Sequence, residues 1–157
     1  MTYTPVLPTS YQSDRQDLND ALEAIVDAFI QQQSYTIGRK FLSEVPDSFT
    51  GEGPLIVLGD ITETHTFTDQ THARVFAGAV YYIDWITDRE AYNNRVNAFA
   101  DHMSDLFEVN RSTVNGAAVL AQVSFQEGEL RQGQLIFGAP QLLYEYRVRR
   151  GDQGGNP

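Results

Sequence analysis

The sequence predicts an α+β domain in which two helices pack on one face of a mostly antiparallel sheet. Two observations lead there. Residues Asp14 to Gln33 and Asp88 to Phe107 carry matching amphipathic stripes, and strand-like sequence lies between them and again after the second. Each helix has a single apolar face that needs a surface to cover, which an antiparallel sheet with one apolar face supplies. At 157 residues the chain fits one ordinary domain, large enough to bury about 70% of the surface its unfolded form exposes. The expected layout is an N-terminal arm over residues 1–13, a single domain over 14–150 and a disordered tail over 151–157.

The first helix begins near Ser13 or Asp14, either of which can cap it, and Asp17 and Asp20 sit near the positive end of its dipole. Leu18, Leu22, Ile25 and Phe29 form the stripe, widened by Ala21, Val26 and Ile30. Tyr35 to Val45 reads as a strand ended by Pro46, which cannot donate to a ladder. Asp47 to Pro54 has the proline, glycine and acidic content of an exposed loop.

Leu55 to Leu58 continues past Gly59 into alternating Ile61, Glu63, His65 and Phe67, a strand with a bulge at the glycine. After a turn at Thr68 to Thr71, Arg74 to Trp85 is apolar on both sides: Val75, Ala77, Ala79, Tyr81, Ile83 and Trp85 on one, Phe76, Val80 and Tyr82 on the other. That pattern predicts a central strand, or one whose outer face meets a partner.

Thr87-Asp88-Arg89-Glu90 fits a capping box with Thr87 as N-cap. The second stripe follows through Tyr92, Val96, Phe99, Met103 and Leu106, and Asn110 suits a left-handed helix end. Ala117, Val119, Ala121, Val123 and Phe125 alternate along a strand, and Glu127-Gly128-Glu129 reads as a hairpin turn into a strand around Gln134 to Phe137. In Leu142 to Val148, Leu142, Tyr144, Tyr146 and Val148 point inward while Leu143, Glu145, Arg147 and Arg149 point outward.

Composition excludes several function classes. There is no cysteine, so disulfides, thiolate metal sites and cysteine nucleophiles are ruled out. Residues 1–13 hold no apolar run of signal-peptide or membrane-span length, and the chain reads as a soluble protein made in a cytoplasm. A net charge of −10 argues against gripping nucleic acid, because such affinity rests on neutralising phosphates; Arg147, Arg149 and Arg150 are the one dense basic cluster.

The chemistry-bearing residues are sparse. Asp60, Glu63, His65, Asp69 and His72 gather around one turn, and a turn that returned His72 toward residues 63 and 65 would make a two-histidine, one-carboxylate metal site. The bland alternative is an exposed hairpin, since no HExxH spacing occurs. His102 lies on a solvated helix face, Ser112 and Ser124 lack a nucleophile elbow, and no phosphate-binding glycine motif exists. No catalytic residue, cofactor or resident metal is expected. Eight tyrosines, nine phenylalanines and Trp85 serve core and interface, and Tyr81, Tyr82 and Trp85 lie on a strand whose two faces two helices cannot both cover.

The order of elements resembles the tail terminator proteins of long-tailed bacteriophages, also called tail-completion or minor tail U-type proteins. The resemblance is carried by Leu18-Asn19-Asp20-Ala21-Leu22, by Gly53-Pro54-Leu55-Ile56-Val57-Leu58-Gly59 with Arg74-Val75-Phe76-Ala77-Gly78, by the helix Asp88 to Phe107, and by a closing hairpin. It implies a virion structural protein, assembled in the host cytoplasm and placed in the tail at the neck. Six copies would form a homohexameric ring that caps the tail tube, ends its polymerisation and meets the head-closure or connector protein. The partners implied are the chain itself, the major tail tube protein and that connector. DNA would only pass through the lumen, where an acidic surface repels phosphate, and no membrane is involved. Phe76, Val80, Tyr82, Arg147 and Arg149 are then the expected subunit interface, and Asp47, Phe49, Glu52, Glu63, His65 and Asp69 the expected tube or connector contacts. The competing expectations are another neck or tail-completion protein, a small-molecule-binding α+β module, and a metal-dependent hydrolase using His65 and His72.

Overall fold

The computed structural model describes residues 3–5, 14–41, 54–69, 72–112, 118–132 and 135–150. Helix α1 (Asp14–Gln32) is followed by β1 (Gly38–Phe41), β2 (Leu55–Leu58), β3 (Thr62–Phe67) and β4 (His72–Trp85). Helix α2 (Arg89–Val109) then leads to β5 (Ala118–Gln126), β6 (Glu129–Gln132), β7 (Leu135–Gly138) and β8 (Gln141–Arg150). The fold is α+β, with every strand pair antiparallel except β1 beside β2.

Strand β4 is the axis. One of its edges pairs with β3 over residues 72–77 and with β2 over residues 80–83. Between them Gly59, Asp60 and Ile61 lie opposite only Gly78 and Ala79, so the expected bulge is present at the glycine, whose N–H donates to the Ala79 carbonyl at 3.0 Å. A Cβ at Gly59 would meet that carbonyl at 3.2 Å, which explains the residue chosen there. The opposite edge pairs with β8 over residues 72–81 and with β7 at Asp84 and Trp85.

The closing strands form one long two-stranded ribbon. Gln126 lies opposite Gln141 and Glu129 opposite Gly138, an unbroken register, so β5 runs on into β6 while β7 runs on into β8. The expected hairpin turn at Glu127-Gly128-Glu129 is therefore corrected: this segment is a bend through which both strands pass. Gly128 accepts from the Ala139 N–H at 2.7 Å, and a Cβ on Gly128 would sit 3.0 Å from the Ala139 oxygen. The expected alternation of Ala117, Val119, Ala121, Val123 and Phe125 is also corrected. The register shifts between Leu120 and Gln122, which puts Ala118 and Leu120 on the core side before the bulge and Val123 and Phe125 after it, leaving Val119 45% exposed.

The helices cover one face. Leu18, Leu22, Ile25, Val26 and Phe29 of α1 and Tyr92, Val96, Phe99, Met103 and Phe107 of α2 are buried against Ile56, Leu58, Phe76, Val80, Tyr82, Leu142, Tyr144, Tyr146 and Val148. The edge-on ring contact of Phe29 with Phe99 (5.9 Å) joins the helices, and Phe99 stacks at 5.3 Å on Tyr82. This overturns one expectation directly: Phe76, Val80 and Tyr82 are at most 1% exposed and face the helices, so they are not an outward interface. The outward side of β4 is the other one, Val75, Ala77, Ala79, Tyr81, Ile83 and Trp85. There Ile83 joins Leu55, Val57 and Phe137 in a second apolar cluster, with Tyr81, Trp85 and Ala139 packed on it.

The termini of α2 differ from the expectation in detail. Asp88, not Thr87, is the N-cap, accepting from the N–H groups of Glu90 (3.0 Å) and Ala91 (3.2 Å). Asn110 ends the helix without entering the left-handed region (φ −100°), its side-chain amide donating to the Leu106 carbonyl at 2.8 Å instead. The expected first strand shortens to Gly38–Phe41. Tyr35 to Ile37 precede it outside any strand, while residues 42–45 of that expected strand lie outside the described residues, as do Ser13, the loop Asp47 to Gly53 and the tail 151–157.

Two stability predictions follow from this packing. Asp88→Ala should cost about 1 kcal/mol in denaturant unfolding, whereas Thr87→Ala should stay within about 0.5 kcal/mol. Gly138 abuts Tyr92 so closely that a Cβ would fall 1.6 Å from the phenol oxygen. Gly138→Ala should thus destabilise by about 1–3 kcal/mol, read from the same unfolding curves.

Candidate functional site

The outward sheet face holds a trough of about 550 Å³. Small residues make its floor: Ala77, Gly78 and Ala79 on β4. Cross-strand register makes its walls, with Thr62 and Glu145 flanking Ala77, and Leu143 flanking Ala79. Ser124 lies opposite Leu143 and Gln122 opposite Glu145, which extends the wall onto β5. Asp60 and Tyr81 close the end nearest the bulge. Gly78 cannot be larger, because a Cβ there would meet the Tyr144 hydroxyl at 2.5 Å. The trough runs from a polar end at Glu145 and Gln122 toward Tyr81, which also packs on the second apolar cluster.

Arg147 is 68% exposed at its side chain on this face and donates to the Glu145 carboxylate at 3.1 Å, two residues away on the same strand. Arg149 is paired through its backbone opposite Ala73. Of the expected interface, then, Arg147 is outward and exposed while Phe76, Val80 and Tyr82 are interior.

A second cluster lies on the helix side of the sheet, at the β3–β4 end beside the first turn of α1. Arg15 of α1 donates to Glu63 (3.2 Å) and to the Ile61 carbonyl (3.3 Å), and Glu63 bonds Nε2 of His65. Nδ1 of His65 lies 2.7 Å from Nε2 of His72, and Phe67 stacks on His72 at 4.5 Å. Glu63 is desolvated to a degree that opposes ionisation, but hydrogen bonds from His65 and Arg15 outweigh this and hold its carboxyl below the ordinary value. Phe67 is 71% exposed and Asp69 is exposed in the following bend. Of the expected axial contacts, Glu63 and His65 are therefore joined in one network, Asp69 lies beside it, and Asp47, Phe49 and Glu52 fall outside the described residues. Among the described residues, no group of three or more His, Asp or Glu side chains converges to hold a metal ion.

Two ionic contacts escape the sequence reading. Asp14, 1% exposed, accepts from Arg74 at 3.1 Å and fastens the start of α1 to β4. Asp84, 4% exposed, accepts from Nε of Arg95 at 2.7 Å and from the Tyr82 hydroxyl at 3.0 Å, which fixes the rotation of α2 on the sheet. A buried aspartate at the end of an apolar strand, followed by an arginine on the next helix, was the available signal. It points to a structural pair, since both groups satisfy each other.

No family model matches the sequence, and no curated protein matches it. The structure is similar to solved protein structures, among them one whose name states no function, with a TM-score of 0.51 at 12% identity, covering 85% of this chain and 94% of that chain. At that identity the likeness shows a shared fold and nothing further.

The buried phenols predict how stability responds to alkali. Desolvation raises Tyr92 to about 12, with the charges of Asp84 and Glu129 adding to it, and desolvation raises Tyr146 to about 12. Tyr82 and Tyr144 are raised as well, by burial first. A raised folded value means the neutral phenol is the stabilised form, so the contribution is complete below the unfolded value of 10.0 and is lost as pH climbs toward 12. Denaturant midpoints should hold steady up to pH 10 and fall above it, in step with tyrosinate absorbance. A midpoint unchanged through that range would contradict the burial.

Proposed function

We propose that this chain is a virion structural protein of the tail-terminator kind, working through contact surfaces rather than through a reaction. The observation that carries the reading is the outward sheet face, which has both a trough floored by small residues and, at its polar end, a charged pair of exposed Arg147 and half-buried Glu145. Helices occupy the opposite face of the same sheet. A closed ring uses heterologous contacts, in which each subunit offers two different patches. A sheet face shaped on one side and a helical layer on the other meet that requirement, and the resemblance in element order agrees with it.

In this reading six copies make the ring at the neck, one rim toward the tail tube and the other toward the head connector. Glu63, His65 and Asp69, at the end of the β3–β4 ladder, supply an axial contact, and the net charge of −10 keeps the lumen from holding DNA. The trough equally favours a second reading, a small-molecule-binding module, because its volume suits a ligand of modest size.

The two readings separate on one experiment. Tail-tube protein from the same source, polymerised alone and with this chain added, should give long tubes in the first case and short, capped tubes bearing rings of six in the second. Ala77→Arg, which fills the trough, and Arg147→Glu should each abolish capping while circular dichroism stays that of the parent. Tubes that grow unchecked in the presence of the parent chain reject the proposal.

A further inference from the structure

We infer that His65 and His72 form a two-nitrogen site for a divalent transition-metal ion such as Ni²⁺ or Cu²⁺, with water at the remaining positions. The inference starts from the ladder. Phe67 is opposite His72 and His65 is opposite Arg74, so the two imidazoles are diagonal neighbours on antiparallel strands, projecting from the same side of the sheet. Their Nδ1 and Nε2 atoms approach to 2.7 Å and their ring centroids to 5.0 Å.

Glu63 decides which nitrogen is available. An ionised carboxylate only accepts, so in neutral His65 the proton is on Nε2, facing Glu63, and Nδ1 keeps its lone pair. That lone pair is aimed at Nε2 of His72, which donates to it when no metal is bound. A carboxylate behind one ring nitrogen, with the other nitrogen free to bind, is the outer-shell arrangement that orients metal-ligating histidines. Metal binding replaces the shared proton. His72 shifts to the tautomer protonated on Nδ1, exchanging its Nε2 proton through solvent so that both rings stay neutral; the rings turn about their Cβ–Cγ bonds until the two lone pairs converge, and the ion takes both.

The donor type selects the class of metal. Neutral imidazoles suit nickel, copper and zinc, and among the divalent first-row ions Cu²⁺ binds such nitrogen donors most tightly. The His65 side chain is 34% exposed, which leaves a path for the ion and for its waters.

Ni²⁺ titrated into the full chain, followed by calorimetry and by imidazole proton resonances, tests this. One equivalent should bind, broadening His65 and His72 before His102, which is exposed on α2. His65→Ala and His72→Ala should each weaken binding at least tenfold, Glu63→Gln should weaken it about tenfold, and His102→Ala should leave it unchanged. Cu²⁺ should bind more tightly than Ni²⁺. Broadening of His102 first in the parent chain, undiminished affinity in His72→Ala, or no binding at millimolar Ni²⁺ would each overturn the assignment.

Discussion

Strand β4 must satisfy backbone hydrogen bonds on both edges along 14 residues, which none of its partner strands does alone. Two short strands, β2 and β3, share one edge, and β8 with β7 shares the other. Each junction needs a local device where one partner hands over to the next. On the first edge it is the bulge at Gly59; on the second it is the Gly138-Ala139-Pro140 step, where the Pro140 carbonyl still accepts from Tyr82 at 3.0 Å. The glycines follow from these junctions. Gly59 and Gly138 are small because a backbone carbonyl and a phenol occupy the space a side chain would need.

The same strand explains the division of the molecule into a helix side and an outward side. Its even-numbered residues, Phe76, Val80 and Tyr82, are consumed by α1 and α2. Asp84 continues that parity and is the one buried charged residue of β4. Burying it is unfavourable unless it is paired; Arg95 provides the pair and Tyr82 a second hydrogen bond. Apolar packing alone would tolerate small rotations of α2 about its axis. The guanidinium contact does not, so this polar group serves orientation more than stability.

Much of this was legible in the sequence where one periodicity had one phase. The stripes of α1, α2 and β8 are found as read, because a residue three or four positions along a helix, or two along a strand, repeats a single environment. On β4 the phase was lost: apolar residues on both faces give period two with no marker for which face meets the helices, and Phe76, Val80 and Tyr82 were assigned outward. The ring of Tyr82 looks like an interface residue until its hydroxyl is seen to donate to Asp84. The β5 bulge has no residue signature, since Ala121 is compatible with either geometry. Glu127-Gly128-Glu129 has turn composition but becomes a bend, because pairing on both sides of it keeps one register. Asp14 and Arg74 are 60 residues apart, and nothing local links them. The approach of His65 to His72, by contrast, required only two strands and a short turn, and was foreseen as a geometric possibility.

The trough and the imidazole pair project from opposite sides of one ladder. His72 opens β4 on the helix side, while Ala77 and Ala79 lie further along on the outward side. Because alternate residues of a strand face opposite ways, a side chain changed at one site has no direct contact with the other. Only the shared backbone of β4 connects them, and that backbone is paired on both edges from His72 to Ala77.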